Sequence, residues 1–189
     1  MLSDRIISAF TFRREVYKEV ERDTTFTNTA WLLVIVVGFL NQLGSRASGN
    51  VLKWLIGSVL GTIGVVIGFA LGAFIINWVG RTVFNADVTF EELVRTLGLA
   101  YVWNVVGVLG VLAALSGALA CLLAPVRIAA WLLWLISWLV AAKEALDLEW
   151  VQTIVTVVLG WIAVFVVILV TGAVLGLMGL GVAALGGLI

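Results

Sequence analysis

The chain has 189 residues, a length typical of one domain, of which 63% are hydrophobic and 12% charged. An average soluble domain carries about 25% charged residues, and a soluble protein of this size cannot bury so much apolar surface, so the sequence predicts an integral membrane protein. The 11 basic and 11 acidic residues cancel, histidine is absent and cysteine occurs once. Without histidine, the chain has neither a histidine acid or base for catalysis nor a histidine ligand for a metal or haem. A single cysteine excludes an intrachain disulfide. We therefore expect no catalytic residues, no cofactor and no metal site.

Residues 1–25 form a charged segment ahead of the first apolar run. It holds ten charges, five of each sign, and apolar residues recur at Leu2, Ile6 and Phe10 and again at Val16 and Val20. This spacing predicts helix, which either lies in the cytoplasmic interface of the membrane or forms a solvated leader. The chain thus divides into a cytoplasmic leader, residues 1–25, and a single transmembrane helical domain, residues 26–189.

Charged residues divide the remainder into uncharged runs. The first three runs have 22, 27 and 31 residues, the fourth has 15, and the last 40 residues carry no charge. A helix needs about 20 apolar residues to cross a bilayer, so the short fourth run spans it only if Arg127 and Lys143 reach the two interfaces. Pro125 is expected in the turn ahead of this span. The predicted spans are residues 26–43, 52–79, 97–123, 129–142 and 150 to about 171.

These runs predict an all-α fold, a polytopic membrane helix bundle of five transmembrane helices. Six helices are the alternative, because the last run could also form a hairpin of two. With five spans and a cytoplasmic N-terminus, eight Lys and Arg residues lie inside and three, Arg46, Lys53 and Arg127, lie outside. The positive-inside rule favours this orientation. Every charged residue is expected at or beyond a span end, which argues against a transporter or proton pump.

The segment between the second and third spans carries two local signals. Asn85-Ala86-Asp87 is a turn motif, and Thr89 with Glu92 matches the capping box that starts a helix. The third span is therefore expected to begin before the membrane.

Glycines in two of the spans recur at spacings of three and four residues, which places them on one face of a helix. Small residues on one face let two membrane helices approach closely. We interpret these faces as packing surfaces within the bundle, with a dimer contact as the alternative, and expect leucine at Gly64 or Gly68 to disturb assembly more than leucine at Gly38. The predicted helix-packing residues are Gly57, Gly61, Gly64, Gly68, Gly72, Gly107, Gly110 and Gly117.

Polar and aromatic residues inside the spans offer few candidates for chemistry. Trp131, Trp134 and Trp138 share one face of the predicted fourth helix, where they contact lipid or, as the alternative, a partner protein or pigment. Asn104 lies deep in the third span, and its amide is expected to bind another helix. The sequence holds no nucleophile–base pair, no phosphate-binding loop and no basic patch for nucleic acid.

Four stretches of the sequence together resemble the prokaryotic Yip-domain proteins. They are FRREVYKEVERD at 12–23, GRTVFN at 80–85, TFEELVRTLGLAY at 89–101 and AAKEALDL at 141–148. The resemblance covers essentially the whole chain and implies a five-span protein of a bacterial or archaeal cytoplasmic membrane, or of the early secretory pathway in a eukaryote. Eukaryotic members bind Rab-type GTPases; the long hydrophilic N-terminal region of those members is missing here, so GTPase binding is not expected to carry over.

The residues and the resemblance together favour a non-enzymatic role. The main hypothesis is a Yip-like protein that organises or shapes the membrane through lipid and protein contacts. The alternative is an accessory or assembly subunit of a larger membrane complex, and a small channel or carrier ranks last. The expected partners are the lipid bilayer and other membrane proteins or a second copy of the chain.

Overall fold

Helices make up all the regular structure in the described part of the chain. The structure, a computed structural model, describes residues 2–47 and 50–177, with the backbone alone at residues 163, 164 and 167–177. The elements are α1 (Leu2–Phe10), α2 (Arg14–Arg22), α3 (Phe26–Ser45), α4 (Val51–Phe84), α5 (Phe90–Ala100), a 3-10 helix (Tyr101–Leu109), α6 (Gly110–Ala113), α7 (Gly117–Leu146) and α8 (Trp150–Leu177). The helix α5, the 3-10 helix and α6 follow one another directly and form the third span, Phe90–Ala113. The predicted all-α membrane bundle is confirmed.

Four segments of the described chain are long and apolar enough to cross a membrane, namely α3, α4, the third span and α7. The helix α8 begins where the sequence predicts the fifth span and adds a shorter apolar stretch, Trp150–Ile162. It continues as one helix to Leu177. The last apolar run is therefore not divided into two helices as far as residue 177, beyond which it lies outside the described residues.

The boundary between the third and fourth spans differs from the prediction. The third span ends at Ala113 and α7 begins at Gly117, so the predicted spans 97–123 and 129–142 are wrong at this boundary. Ser116 sets the position, because its backbone is extended and its hydroxyl oxygen accepts a hydrogen bond from the Leu119 N–H at 3.2 Å. No charged residue marks this turn, and a run of 31 uncharged residues therefore suggests a single span.

The helix α7 is consequently a full-length span. Its 30 residues correspond to a length of about 45 Å, and Pro125 lies inside it rather than in the preceding turn. Membrane helices tolerate such a proline because neighbouring groups satisfy the freed carbonyl. Arg127 also lies within α7 rather than ahead of it.

The start of the third span has the predicted form. The helix α4 ends at Phe84, and Asn85 follows it in the left-handed conformation with a φ of 53°. The Thr89 N–H donates to the Glu92 carboxylate at 2.7 Å, and the Glu92 N–H donates to the Thr89 hydroxyl at 3.3 Å, which completes the capping box. Both local signals are confirmed, because each depends on neighbouring residues alone.

The third span is the centre of the bundle. Half of its most apolar stretch is buried, against 28% for α3 and α4 and none for α7. Its 3-10 helix has nine residues, although such helices seldom exceed three or four. With three residues per turn, this geometry aligns Asn104 and Gly107, and Gly110 directly after them, on the side that contacts α3.

The leader packs on the bundle and shares its hydrophobic core. Its two helices are separated by Phe12, which has a φ of 55°. The helix α2 buries Val16, Tyr17 and Val20, and it contacts α5 and α7. This docking differs from the expected solvated leader, because other helices of the same chain cover the apolar face of α2.

A buried arginine joins the end of α2 to the third span. Arg95 of α5 is only 4% exposed, and its guanidinium donates to the carbonyl oxygens of Val20 and Glu21. It also donates to the Thr27 hydroxyl at 3.2 Å. The last carbonyls of a helix have no hydrogen-bond partner within it, and Arg95 supplies the missing donors to the end of α2 from the neighbouring span.

The other side of α2 is joined to α7. The hydroxyls of Tyr17 and Ser137 are both buried and lie 2.8 Å apart. Burial raises the pKa of Tyr17 to about 12, so its hydroxyl stays protonated at neutral pH. Nearby, the Lys18 ammonium lies 3.5 Å from the Glu144 carboxylate, which is 8% exposed.

The variant Tyr17→Phe is expected to lower the stability of the protein by about 1 kcal/mol, since it removes one buried hydrogen bond and leaves Ser137 without its partner. The measurement is the unfolding temperature in a mild detergent. Tyr101→Phe is the matched control, because Tyr101 is a buried residue and no hydrogen bond to its hydroxyl is found in the described residues. Equal losses in the two variants would show that the Tyr17–Ser137 bond contributes nothing.

Candidate functional site

Two of the predicted packing glycines lie where the third span meets α3. A Cβ added to Gly107 would meet the Asn41 side chain, and one added to Gly110 would meet the backbone of Gly44. The Asn41 amide also donates to the Asn104 carbonyl oxygen at 3.0 Å. The two helices are thus in direct backbone contact, which only small residues allow.

The amide that crosses between these helices belongs to Asn41. The Asn104 amide instead donates to the Tyr101 carbonyl oxygen in its own span, at 3.4 Å. The prediction that the Asn104 side-chain amide binds another helix is therefore wrong. The group of Asn104 that faces α3 is its backbone carbonyl.

The glycines of α4 do not form one packing face. Gly57 and Gly61 face the side chains of Gln42 and Arg46 at the end of α3. Gly72 is buried. The predicted face therefore reaches α3 only at its first two positions.

Gly64 and Gly68 lie between these positions and have open space. A Cβ added to either meets no atom of the described residues within 4 Å, and the same holds for Gly117. Beside Gly64, Ile63 and Ile67 are 52% and 54% exposed, so this side of α4 faces the surroundings of the protein. The expected order of the leucine variants is therefore reversed. Leucine at Gly38 is expected to disturb the bundle more than leucine at Gly64 or Gly68, since a Cβ on Gly38 meets Val65 at 3.0 Å.

Sequence reasoning missed several glycines at close helix contacts, and two of them lie where α3 meets the third span. A Cβ on Gly44 would meet the backbone of Gly107, and one on Gly98 would lie 2.9 Å from the Ala30 Cβ. A signal was present in α3, whose packed residues alternate in steps of four and three, the spacing of a helix–helix seam. These residues are Ala30, Val34, Val37, Asn41 and Gly44.

The three tryptophans of α7 have different surroundings. Trp131 is 55% exposed and lies beside a cavity between α3, the third span and α7. Trp134 and Trp138 lie beside another cavity, between α4, the third span, α7 and α8. The predicted common face is thus divided along the helix axis, because Trp131 lies seven residues, about 10 Å, from Trp138 and so meets different neighbouring helices.

The second of these cavities, called the aromatic cavity, has a volume of about 310 Å³. Its rings pack edge to face, with the centroids of Trp134 and Trp138 5.2 Å apart and those of Phe69 and Trp138 6.0 Å apart. The volume lies at the lower end of the range for ligand pockets, about 300–1,000 Å³. The lining residues are Val65, Gly68, Phe69, Gly72, Tyr101, Trp134, Trp138, Trp161 and Phe165.

The polar groups of the aromatic cavity are indole N–H groups and the Tyr101 hydroxyl. The Nε1 atoms of Trp134 and Trp138 are buried and find no hydrogen-bond acceptor among the described residues. No charged residue lines the cavity. Within the described chain, no group of three Cys, Asp or Glu residues is placed to hold a metal ion. The cavity therefore suits an apolar ligand that brings a hydrogen-bond acceptor.

The relationship of the chain to other proteins follows from its match to a family model. The model, described as Yip1 domain, matches residues 7–188. The chain belongs to the Yip1 domain family. Neither a curated protein nor a solved structure gives a match. The resemblance inferred from the sequence is thus confirmed, and the apolar helices make this Yip1-domain protein a multi-pass membrane protein.

The matched region includes part of the leader as well as the spans. It begins within α1 and contains the whole of α2. In this Yip1-domain protein the same leader helix is held by Arg95 and by Ser137. The docked leader is therefore part of the family domain.

Proposed function

We propose that this Yip1-domain protein is a non-enzymatic organiser of the cytoplasmic membrane of a bacterium or archaeon, and that it holds a lipid chain in the aromatic cavity. The observation that supports the proposal is a cavity between membrane-spanning helices whose buried indole N–H groups have no acceptor. A buried donor without a partner costs about 1–3 kcal/mol, which a ligand with an acceptor recovers.

The depth of the cavity favours an acyl or isoprenoid chain. Trp138 and Trp134 precede Lys143 by five and nine residues, which corresponds to roughly 8 and 14 Å along α7. Lys143 lies near the end of α7 that contacts the leader. The cavity thus lies at the depth of the hydrocarbon layer, on the leader side of its centre, where lipid chains are the abundant ligands. An ester-linked acyl chain brings a carbonyl oxygen as the acceptor, and an ether-linked isoprenoid chain brings only an ether oxygen.

The test fills the cavity without disturbing the helices. Gly68 lines the cavity, and a Cβ at this position meets no atom of the described residues within 4 Å, so Gly68→Leu is expected to extend into the free space. Gly64→Leu is the matched control, because it adds the same side chain one turn earlier on α4, outside the cavity. Bound phosphatidylglycerol is counted by native mass spectrometry after delipidation and titration.

The expected result is binding that is roughly tenfold weaker in Gly68→Leu than in Gly64→Leu, a difference of about 1.4 kcal/mol. Equal lipid binding by the two variants, with unchanged unfolding temperatures, would refute the proposal. A stoichiometric partner protein that replaces the lipid in mildly solubilised native membranes would favour the accessory-subunit alternative.

A further inference from the structure

Arg127 is a charged residue of a spanning helix without a charged or polar partner in the described part of the chain. Arginines within membrane helices are rare, and they are usually paired with another group or functional. The position of Arg127 therefore calls for a ligand that the chain itself does not provide.

The charges of the protein are separated across the membrane. The ends of α2 and α7 and the turn after α4 line one polar cavity, so they lie on the same side. All 11 acidic residues fall in the leader, in residues 87–92 or in residues 144–149, and hence on this leader side. The opposite side holds three basic residues, Arg46, Lys53 and Arg127, and no Asp or Glu. Its net positive charge attracts anions.

Arg127 lines a cavity of about 380 Å³ between α3, the third span and α7, called the headgroup cavity. Trp103 marks the end of the cavity nearer the leader, because its ring centroid lies 4.8 Å from that of Phe10 and 5.5 Å from that of Phe12. Arg127 marks the other end. A guanidinium only donates hydrogen bonds, so a ligand of Arg127 is rich in acceptors. The lining residues are Asn41, Trp103, Asn104, Gly107, Ala124, Arg127, Ile128, Ala130 and Trp131.

The depth of Arg127 matches the level of lipid phosphates. It precedes Lys143 by 16 residues, which corresponds to about 24 Å along α7. The hydrocarbon core is about 30 Å thick, so the guanidinium reaches the boundary opposite the leader by extending its apolar stem. Phosphate oxygens are acceptors that the planar guanidinium binds in pairs.

We propose that the headgroup cavity binds the phosphate group of an anionic phospholipid from the leaflet opposite the leader. Arg127 holds two phosphate oxygens with its planar guanidinium. The site is independent of the aromatic cavity, which lies on another side of the third span and in the other leaflet.

The experiment compares Arg127→Gln with Lys53→Gln, a matched variant that removes a positive charge on the same side but outside the cavity. Delipidated protein in detergent is titrated with short-chain phosphatidylglycerol, with diacylglycerol of the same chains and with inorganic phosphate, and binding is followed by native mass spectrometry. We expect phosphatidylglycerol to bind roughly tenfold more weakly to Arg127→Gln than to the wild type, and Lys53→Gln to bind it as the wild type does.

Each outcome separates the ligand sources. If diacylglycerol and inorganic phosphate each bind weakly by themselves, the ligand is the phospholipid. If inorganic phosphate fully displaces the lipid, the lipid is overturned as the source and the ligand is a free phosphate ion. Equal losses of phosphatidylglycerol binding in Arg127→Gln and Lys53→Gln would overturn the site.

Arg127→Lys, which keeps the charge without the planar fork, is expected to bind the lipid with intermediate affinity and guards against a folding defect. Gly68→Leu is expected to leave the Arg127-dependent difference unchanged, so failure of the aromatic cavity is recognised separately.

Discussion

Leucine in place of Gly44 or Gly110 is expected to destabilise the protein by at least about 3 kcal/mol, the upper end of overpacking costs, or to prevent folding. The reason is the kind of atom that the new side chain meets. Even a Cβ at Gly110 would overlap the backbone of Gly44, with its carbonyl carbon at 2.6 Å. Backbone cannot rotate away as a side chain can, so α3 and the third span would have to separate. The measurement is the temperature at which the purified protein loses its monodisperse elution peak.

The matched control is Gly64→Leu, which replaces a helical glycine with open space around it. It is expected to leave the unfolding temperature unchanged or to raise it slightly, since leucine favours the helix more than glycine does by up to about 1 kcal/mol. Comparable losses at Gly44, Gly110 and Gly64 would show that the contact between α3 and the third span does not carry the stability of the bundle.

The variant Arg95→Leu is expected to release the leader and to lower stability by about 3 kcal/mol. Arg95 is buried and donates to Val20 and Glu21 at the end of α2, and hydrogen bonds to a charged group contribute about 1.5–3 kcal/mol each. Its loss leaves these carbonyls without a partner. Hydrogen exchange measures the effect directly, since the amides of α2 are expected to exchange faster than those of α4.

Arg81→Leu provides the control for removal of a basic residue. Arg81 is exposed near the end of α4, and no polar contact to its side chain is found in the described residues. It is expected to leave exchange in α2 unchanged. If Arg95→Leu exchanged no faster than Arg81→Leu, the apolar face of α2 alone would account for the docking of the leader.

Features that depend on near neighbours were predictable from the sequence. The capping box of Thr89 and Glu92 and the turn at Asn85 formed as expected, because residues within one or two turns determine them. The turn at Ser116 was missed for the opposite reason. A single serine with a hydroxyl cap carries a weak signal inside a long apolar run, and only the pairing of the third span with α7 shows where the chain reverses.

The spacing of the glycines alone does not show which of them contact a neighbouring helix. Periodicity places Gly57, Gly61, Gly64 and Gly68 on one side of α4, but it does not say which positions a neighbouring helix covers. In a membrane, lipid and helix surfaces are equally apolar, so no change in hydrophobicity marks the contact. Gly44 and Gly107 meet because α3 and the third span cross at that height, which depends on the whole bundle.

The sequence by itself determined that this protein spans a membrane several times, that its carboxylates gather on one side and that it resembles the Yip-domain proteins, because apolar length, charge and short motifs are properties of the chain. The tertiary structure decided which surfaces are free. It formed part of the third span as a 3-10 helix and docked the leader through Arg95. It also left Arg127 beside a cavity and placed the tryptophans of α7 at two different cavities. These outcomes depend on contacts between residues far apart in the chain, and no local pattern encodes them.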